Sequence, residues 1–219
     1  EFNLSKNILK SLKYDFTDVA IFEDLKNRAY VAVKYSKSFQ AYKLLKELEK
    51  KLSAQDDSIK ARYKEILVWL NYASFDNLTQ KELLDFFSEH NISIILRDED
   101  YNDLIGKVKF RLSQEPIEER DKWREKIFNA MHQNSAILTQ KFTVPNQRGT
   151  IISWLKAYDK AVGTDIAQSI ARADFENEQS NISHLDSEDK TILKRFLDFY
   201  EFIKISSYDS AGFEEPVIA

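Results

Sequence analysis

The 219 residues contain no cysteine. That excludes a disulfide framework, a thiolate metal site and a cysteine nucleophile. Glycine occurs four times and proline three times, where average usage would place about 15 and about 11. Doubly wound sheets, sandwiches and propellers turn often and need those residues. Their scarcity points to long helices joined by few turns. No stretch approaches the ~20 consecutive apolar residues that cross a bilayer. The chain opens Glu1-Phe2-Asn3, without a basic segment leading into an apolar one, so no secretory leader is visible. It also opens without an initiator methionine, which leaves room for a removed upstream segment. The expected location is the cytoplasm.

Catalytic signatures are equally scarce. His90, His132 and His184 are the three histidines, and no two stand three or four residues apart. HExxH and ExxH are both missing, so neither a zincin nor a carboxylate-bridged di-iron bundle fits. Gly149-Thr150 lacks the glycine-rich turn and lysine of a phosphate-binding loop, and neither GxSxG nor GxGxxG occurs. Asp98-x-Asp100-x-Asn102 begins like a calcium loop. Its sixth position is Asp103 instead of glycine, and its twelfth is Lys109 instead of glutamate. The expectation is therefore no catalytic residue, no metal and no cofactor. An enzyme would have to assemble its site from scattered carboxylates with His132 or His90, in a buried polar cleft.

What the chain does have is charge and helical period. The net charge of −4 is unevenly spread: positions 1–64 carry a net +5, positions 65–164 a net −2 and positions 165–219 a net −7. Such a division suits two halves that attract each other, or two partner surfaces. Apolar residues recur at helical spacing along nearly the whole length. Leu4, Ile8, Leu9 and Leu12 form a first short stripe. Ile21, Leu25, Ala29 and Ala32 form the next, followed by Ala41, Leu45, Leu48 and Leu52, with a break of pattern at 34–38. Tyr63, Ile66, Leu67 and Leu70 face inward on the next helix. Thr79-x-x-Glu82 is a capping box. Residues 91–96 suit a short strand or a helix start, and the helix start is preferred because no partner strand is evident.

Pro116 fits the first turn of a helix whose inner face is Trp123, Ile127, Phe128 and Met131. Residues 136–144 read as extended. Ile151 to Val162 is helical and stops at Gly163, a glycine C-cap. A short helix over 164–173 and a polar loop over 177–183 follow. The final helix starts at Asp186 or Ser187 and buries Ile192, Leu193, Phe196, Leu197, Tyr200 and Ile203. The fold expected is all-α, a multihelical bundle of about eight to ten helices. It comprises a basic part at 1–75, a second helical part at 76–205 and an acidic tail at 206–219.

Two segments have the composition of a binding surface. Lys26, Arg28, Tyr30, Lys34, Tyr35, Lys37, Phe39, Tyr42 and Lys43 mix cations with rings, as a nucleic-acid face does, with Lys34, Lys37 and Lys43 on the phosphates. Helical packing favours a different arrangement, with the rings turned inward and the lysines out, and the acidic pI of 5.6 agrees with it. The tail supplies Phe213, Glu214, Glu215, Pro216 and Val217, a short apolar and acidic segment suited to a partner's groove or sheet edge. The leading expectation is a non-enzymatic interaction or scaffold protein with another protein as partner. The alternative is a nucleic-acid-associated protein using its basic front.

The C-terminal third also resembles a pattern in uncharacterised bacterial helical proteins. The residues are Pro145, then Ile151-Ile152-Ser153-Trp154-Leu155-Lys156-Ala157-Tyr158, then Leu185-Asp186-Ser187-Glu188-Asp189-Lys190 and Leu193, Phe196, Leu197, Phe199 and Tyr200. In those proteins a W-L-x-x-Y helix precedes an L-S-x-E-E-K helix start. The resemblance covers roughly 140–215 and implies a helical fold and a bacterial source, with no catalytic residue. Trp154, Leu155 and Tyr158 themselves read as core.

Overall fold

The computed structural model describes residues 15–98, 101–142, 148–164, 169–177 and 180–205. The stripe at 4–12, the centre of the calcium-like loop at 99–100 and the tail at 206–219 lie outside them. The fold is all-α and multihelical. The chain divides into two compact units, Glu1–Ser74 and Phe75–Ala219.

The first unit contains α1 (Val19–Lys34), α2 (Ser38–Leu52) and α3 (Asp57–Ala73). Asp18 caps α1 through Ala20 N–H, and Asp56 caps α3 through Ile59 N–H. The broken pattern at 34–38 is a corner between two helices, where Ser36 takes φ 50°. The two alanine-leucine stripes face α3. Leu25, Ala29 and Ala32 of α1 and Ala41, Leu45, Leu48 and Leu52 of α2 are buried, as are Tyr63 and Ile66 of α3. Tyr63 meets Phe16 edge to face at 5.2 Å, and its hydroxyl donates to the Phe16 carbonyl.

The second unit runs through a 3₁₀ turn (Phe75–Asn77), α4 (Gln80–Glu89), α5 (Ser93–Asp98), α6 (Tyr101–Ser113) and α7 (Ile117–Met131). Then come strands β1 (Ile137–Thr139) and β2 (Gly149–Thr150), α8 (Ile151–Val162), α9 (Ser169–Asn177), α10 (Ser180–Ser183) and α11 (Ser187–Ile205). The Thr79–Glu82 capping box forms in full. The helix reading of 91–96 holds for its second half, as α5. α9 overlaps the end of the short helix expected at 164–173, of which 165–168 lie outside the described residues, and the polar stretch 177–183 contains the single turn α10. Among the described residues of 136–144 the strand is β1, which pairs antiparallel with β2.

α11 is the central rod of this unit and touches α5, α6, α7 and β1. Its Ile192, Leu193, Phe196, Leu197, Tyr200 and Ile203 are all buried, and Phe199 stacks on Phe87 at 5.7 Å. The inner face of α7 is Trp123, Ile127, Ala130 and Met131, with Phe128 at its half-buried edge. The two units repeat one local design. Leu52, Ser53 and Tyr63 at the α2–α3 turn have counterparts sixty positions on, at Leu112, Ser113 and Trp123 of the α6–α7 turn. In each, the leucine and the ring are buried.

Candidate functional site

Two places concentrate chemistry. The first is a polar cluster inside the second unit. α7 ends at His132, α8 brings Asp159, and α11 brings Tyr200, Glu201 and Lys204. His132 Nε2 lies 2.9 Å from Asp159 Oδ2, and its Nδ1 lies 2.9 Å from the Phe128 carbonyl. Both neighbours are acceptors, an arrangement that favours the imidazolium, in which both ring nitrogens donate; the Tyr200 hydroxyl lies 3.4 Å from Nε2. Tyr200 donates its hydroxyl to Asp159 at 2.8 Å. Lys204 Nζ reaches the Gly163 carbonyl at 3.0 Å, Glu201 Oε1 at 3.0 Å and Asp159 Oδ1 at 3.5 Å. Its ammonium also stands 4.6 Å from the Tyr200 ring centre and 5.1 Å from that of Tyr158. Lys204 is only 2% exposed. A buried ammonium persists only when paired, and here two cations meet two carboxylates.

The electrostatics follow from this packing. Burial works against a charged His132, but the Asp159 hydrogen bond, the Phe128 carbonyl and the Asp159 charge outweigh it and hold the imidazole above its ordinary value. Burial and then the Asp159 carboxylate push the Tyr200 phenol up, so it stays a neutral donor. Burial, and then Glu201 beside it, also push the Tyr158 phenol up.

A pH dependence is expected from this. His132 binds its proton more tightly folded than unfolded, so its contribution is complete below the unfolded value of about 6.5. It fades as pH rises through the raised folded value. Urea midpoints at pH 6 and pH 8 should therefore differ more for the natural chain than for His132→Gln, with the natural chain more stable at pH 6. An equal difference for both would contradict the ion pair.

Within the cluster both His132 nitrogens face acceptors, both Asp159 oxygens face donors, and the Lys204 ammonium lies within 3.5 Å of three oxygens. The cluster ties three helices together. The adjoining helix is tied in the same way, with Arg172 of α9 bonded to Glu176 and to Asp198 of α11. A cavity elsewhere in this unit, beside Leu83, Val108 and Trp123, has about 10 Å³, room for one water at most.

The second place is the outer side of α1 and α2. Tyr30 and Tyr35 are each 59% exposed and Phe39 is 56% exposed. This corrects the expectation that packing turns these rings inward. The alanines settle the helix phase: Ala29, Ala32 and Ala41 face α3 closely and take the interior positions. Tyr30, Tyr35 and Phe39 are left on the surface, and Tyr42 is half-buried. The lysines stand with them. Lys34 Nζ lies 5.9 Å from the Tyr30 ring centre and 5.7 Å from that of Tyr35. Lys43 Nζ lies 4.2 Å from that of Phe39. Tyr35, Ser36 and Lys37 are all exposed at the corner.

The other expected residues fall as follows. Phe213, Glu214, Glu215, Pro216 and Val217 lie outside the described residues. His90 ends α4 and packs near Phe86, and His184 is exposed, so neither joins His132. Asp103 forms an ion pair with Lys107 at 3.9 Å. Among the described residues no three His, Asp or Glu side chains are grouped to hold a metal, and no helix is long and apolar enough to cross a membrane. Trp154, Leu155 and Tyr158 are fully buried. The sequence reading missed Asp159, Glu201 and Lys204. The one available signal was a lysine at position 204, one turn beyond Tyr200 on an otherwise apolar stripe. Comparison with protein-family models, with curated proteins and with solved structures finds no match for this chain.

Proposed function

We propose that this chain is a non-enzymatic interaction protein whose binding surface is the basic, ring-bearing side of α1 and α2. One observation carries the reading. Three aromatic rings are more than half exposed beside Lys34, Lys37 and Lys43, none of which has a carboxylate within ion-pair distance among the described residues. Exposed rings lose stabilisation that burial would give them, at roughly 25 cal/mol per Å² of apolar surface, and clustered apolar exposure marks binding sites. The polar cluster supports the same reading from the other side, since its groups are consumed by one another.

The test is capture from native lysate, with and without nuclease. Changing Tyr30, Tyr35 and Phe39 together to serine should abolish capture and leave unfolding within about 0.5 kcal/mol per site, as exposed positions do. Undiminished capture by the triple variant would overturn the proposal. Survival or loss on nuclease treatment separates a protein partner from a nucleic acid.

A further inference from the structure

We propose that the α1–α2 face holds single-stranded nucleic acid, with phosphates on Lys34, Lys37 and Lys43 and unpaired bases stacked on Tyr30, Tyr35 and Phe39. This rests on the reading of that face as the binding surface and names its occupant.

Charge complementarity is the first argument. From Leu25 to Lys46 the sequence has six lysines and arginines and no aspartate or glutamate, within a chain of net charge −4. Two of the six are neutralised locally: Arg28 pairs with Asp24 at 2.8 Å and Lys46 with Glu49 at 2.6 Å. Lys26, Lys34, Lys37 and Lys43 have no such partner among the described residues and are exposed. An anion is therefore drawn to the stretch that carries the rings.

The spacing of ring and cation is the second argument. Each of the three rings lies against a lysine ammonium, at 4.2 to 5.9 Å. A phosphate on that ammonium brings its own base to the neighbouring ring. A duplex hides its base faces, whereas a single strand offers them to aromatic side chains. Two of the three rings are tyrosines, whose hydroxyls suit a wet, polar surface better than the acyl region of a membrane. An acidic peptide would use the lysines and leave the rings without a π partner. The stretch from Leu25 to Lys46 carries no carboxylate to accept from a base edge, so the binding expected is tolerant of sequence.

The test uses the whole chain and fluorescein-labelled dT₁₅ and U₁₅, read by anisotropy between 50 and 200 mM salt. Saturable binding is expected. Log affinity should fall with log salt at a slope near −2, from three lysines at about 0.7 each on a single strand. Lys34→Glu, Lys37→Glu and Lys43→Glu together should remove binding. Tyr30→Ser, Tyr35→Ser and Phe39→Ser should each weaken it about tenfold with the salt slope unchanged, while Tyr35→Phe, which keeps the stacking face, should retain it. All these residues are exposed, so the variants keep their fold, checked by unchanged thermal transitions.

Heparin binding as tight as the oligonucleotides, with no effect of the ring substitutions, would overturn the proposal in favour of a site for any polyanion. Binding to phosphatidylserine vesicles or to polyglutamate, with none to either oligonucleotide, would overturn it in favour of a membrane or an acidic protein. No binding to any probe, with lysate capture still dependent on the three rings, would overturn the occupant and leave the surface standing. Loss of that dependence would overturn both.

Discussion

Asp159→Ala lowers the stability of the second unit by about 3–5 kcal/mol, the range found when one member of a buried charge cluster is removed. At the scaling for a chain of this size that is a fall of about 10 °C in its thermal transition. The magnitude follows from what stays behind. Lys204 is 2% exposed and would keep one carboxylate, Glu201 at 3.0 Å. His132 Nε2 and the Tyr200 hydroxyl would both lose the acceptor they share. The loss is mainly an orphaned-group penalty, so it is not additive. Adding Lys204→Met to Asp159→Ala should not restore the stability, because Glu201, 5% exposed, would then lose the ammonium it pairs with. Lys156→Ala, on the exposed side of the same helix, should stay within about 0.5 kcal/mol. Urea unfolding of the three variants checks this. A change of less than about 1 kcal/mol for Asp159→Ala would contradict the helix-tying role of the cluster.

Gly149→Ala should cost about as much, for a steric reason. Gly149 opens β2 opposite Thr139, where the Trp154 indole N–H donates to the Thr139 hydroxyl at 2.7 Å. A Cβ on Gly149 would fall far inside contact distance of both Thr139 Oγ1 and Trp154 Nε1. Those atoms belong to fully buried residues, so neither can move aside cheaply. Overpacking costs ~1–3 kcal/mol, and the separated donor and acceptor add ~1–3 kcal/mol. The φ of Gly149 is not positive, so the loss comes from space and not from backbone strain. Trp154 gives the readout: its emission should shift to the red as the indole gains water. Thr139→Val, which removes the hydroxyl that accepts from Trp154 and donates to the Lys141 carbonyl, separates the loss of those two hydrogen bonds from the steric effect. An unshifted emission and an unchanged urea midpoint for Gly149→Ala would show that β2 does not press on the indole. By contrast, nothing lies near a Cβ on Gly106, and Gly163 is needed for its φ of 96° at the end of α8.

The helices were legible because their signals are local. The Thr79–Glu82 capping box, the apolar period of α11 and the terminating Gly163 each act within one or two turns. The β1–β2 ribbon was half legible: Ile137 to Thr139 looks extended, but Gly149-Thr150 is too short to show a period of two. The orientation of Tyr30, Tyr35 and Phe39 was misread for a physical reason. Hydropathy ranks a ring above an alanine as core, yet close helix packing against α3 selects the alanine. The polar cluster was hidden because its members are distant in sequence. Asp159 stands 27 residues from His132 and 41 from Tyr200, and only the crossing of three helices brings them together.

We propose binding on α1 and α2 and a structural role for the polar cluster. Hydrogen–deuterium exchange on the whole chain, alone and carrying the material it captures from native lysate, separates these directly. Protection confined to peptides covering positions 26–46 is the result predicted. Protection at 154–163 and 196–204, with 26–46 unchanged, would contradict it and make the cluster of His132, Asp159 and Tyr200 the working site.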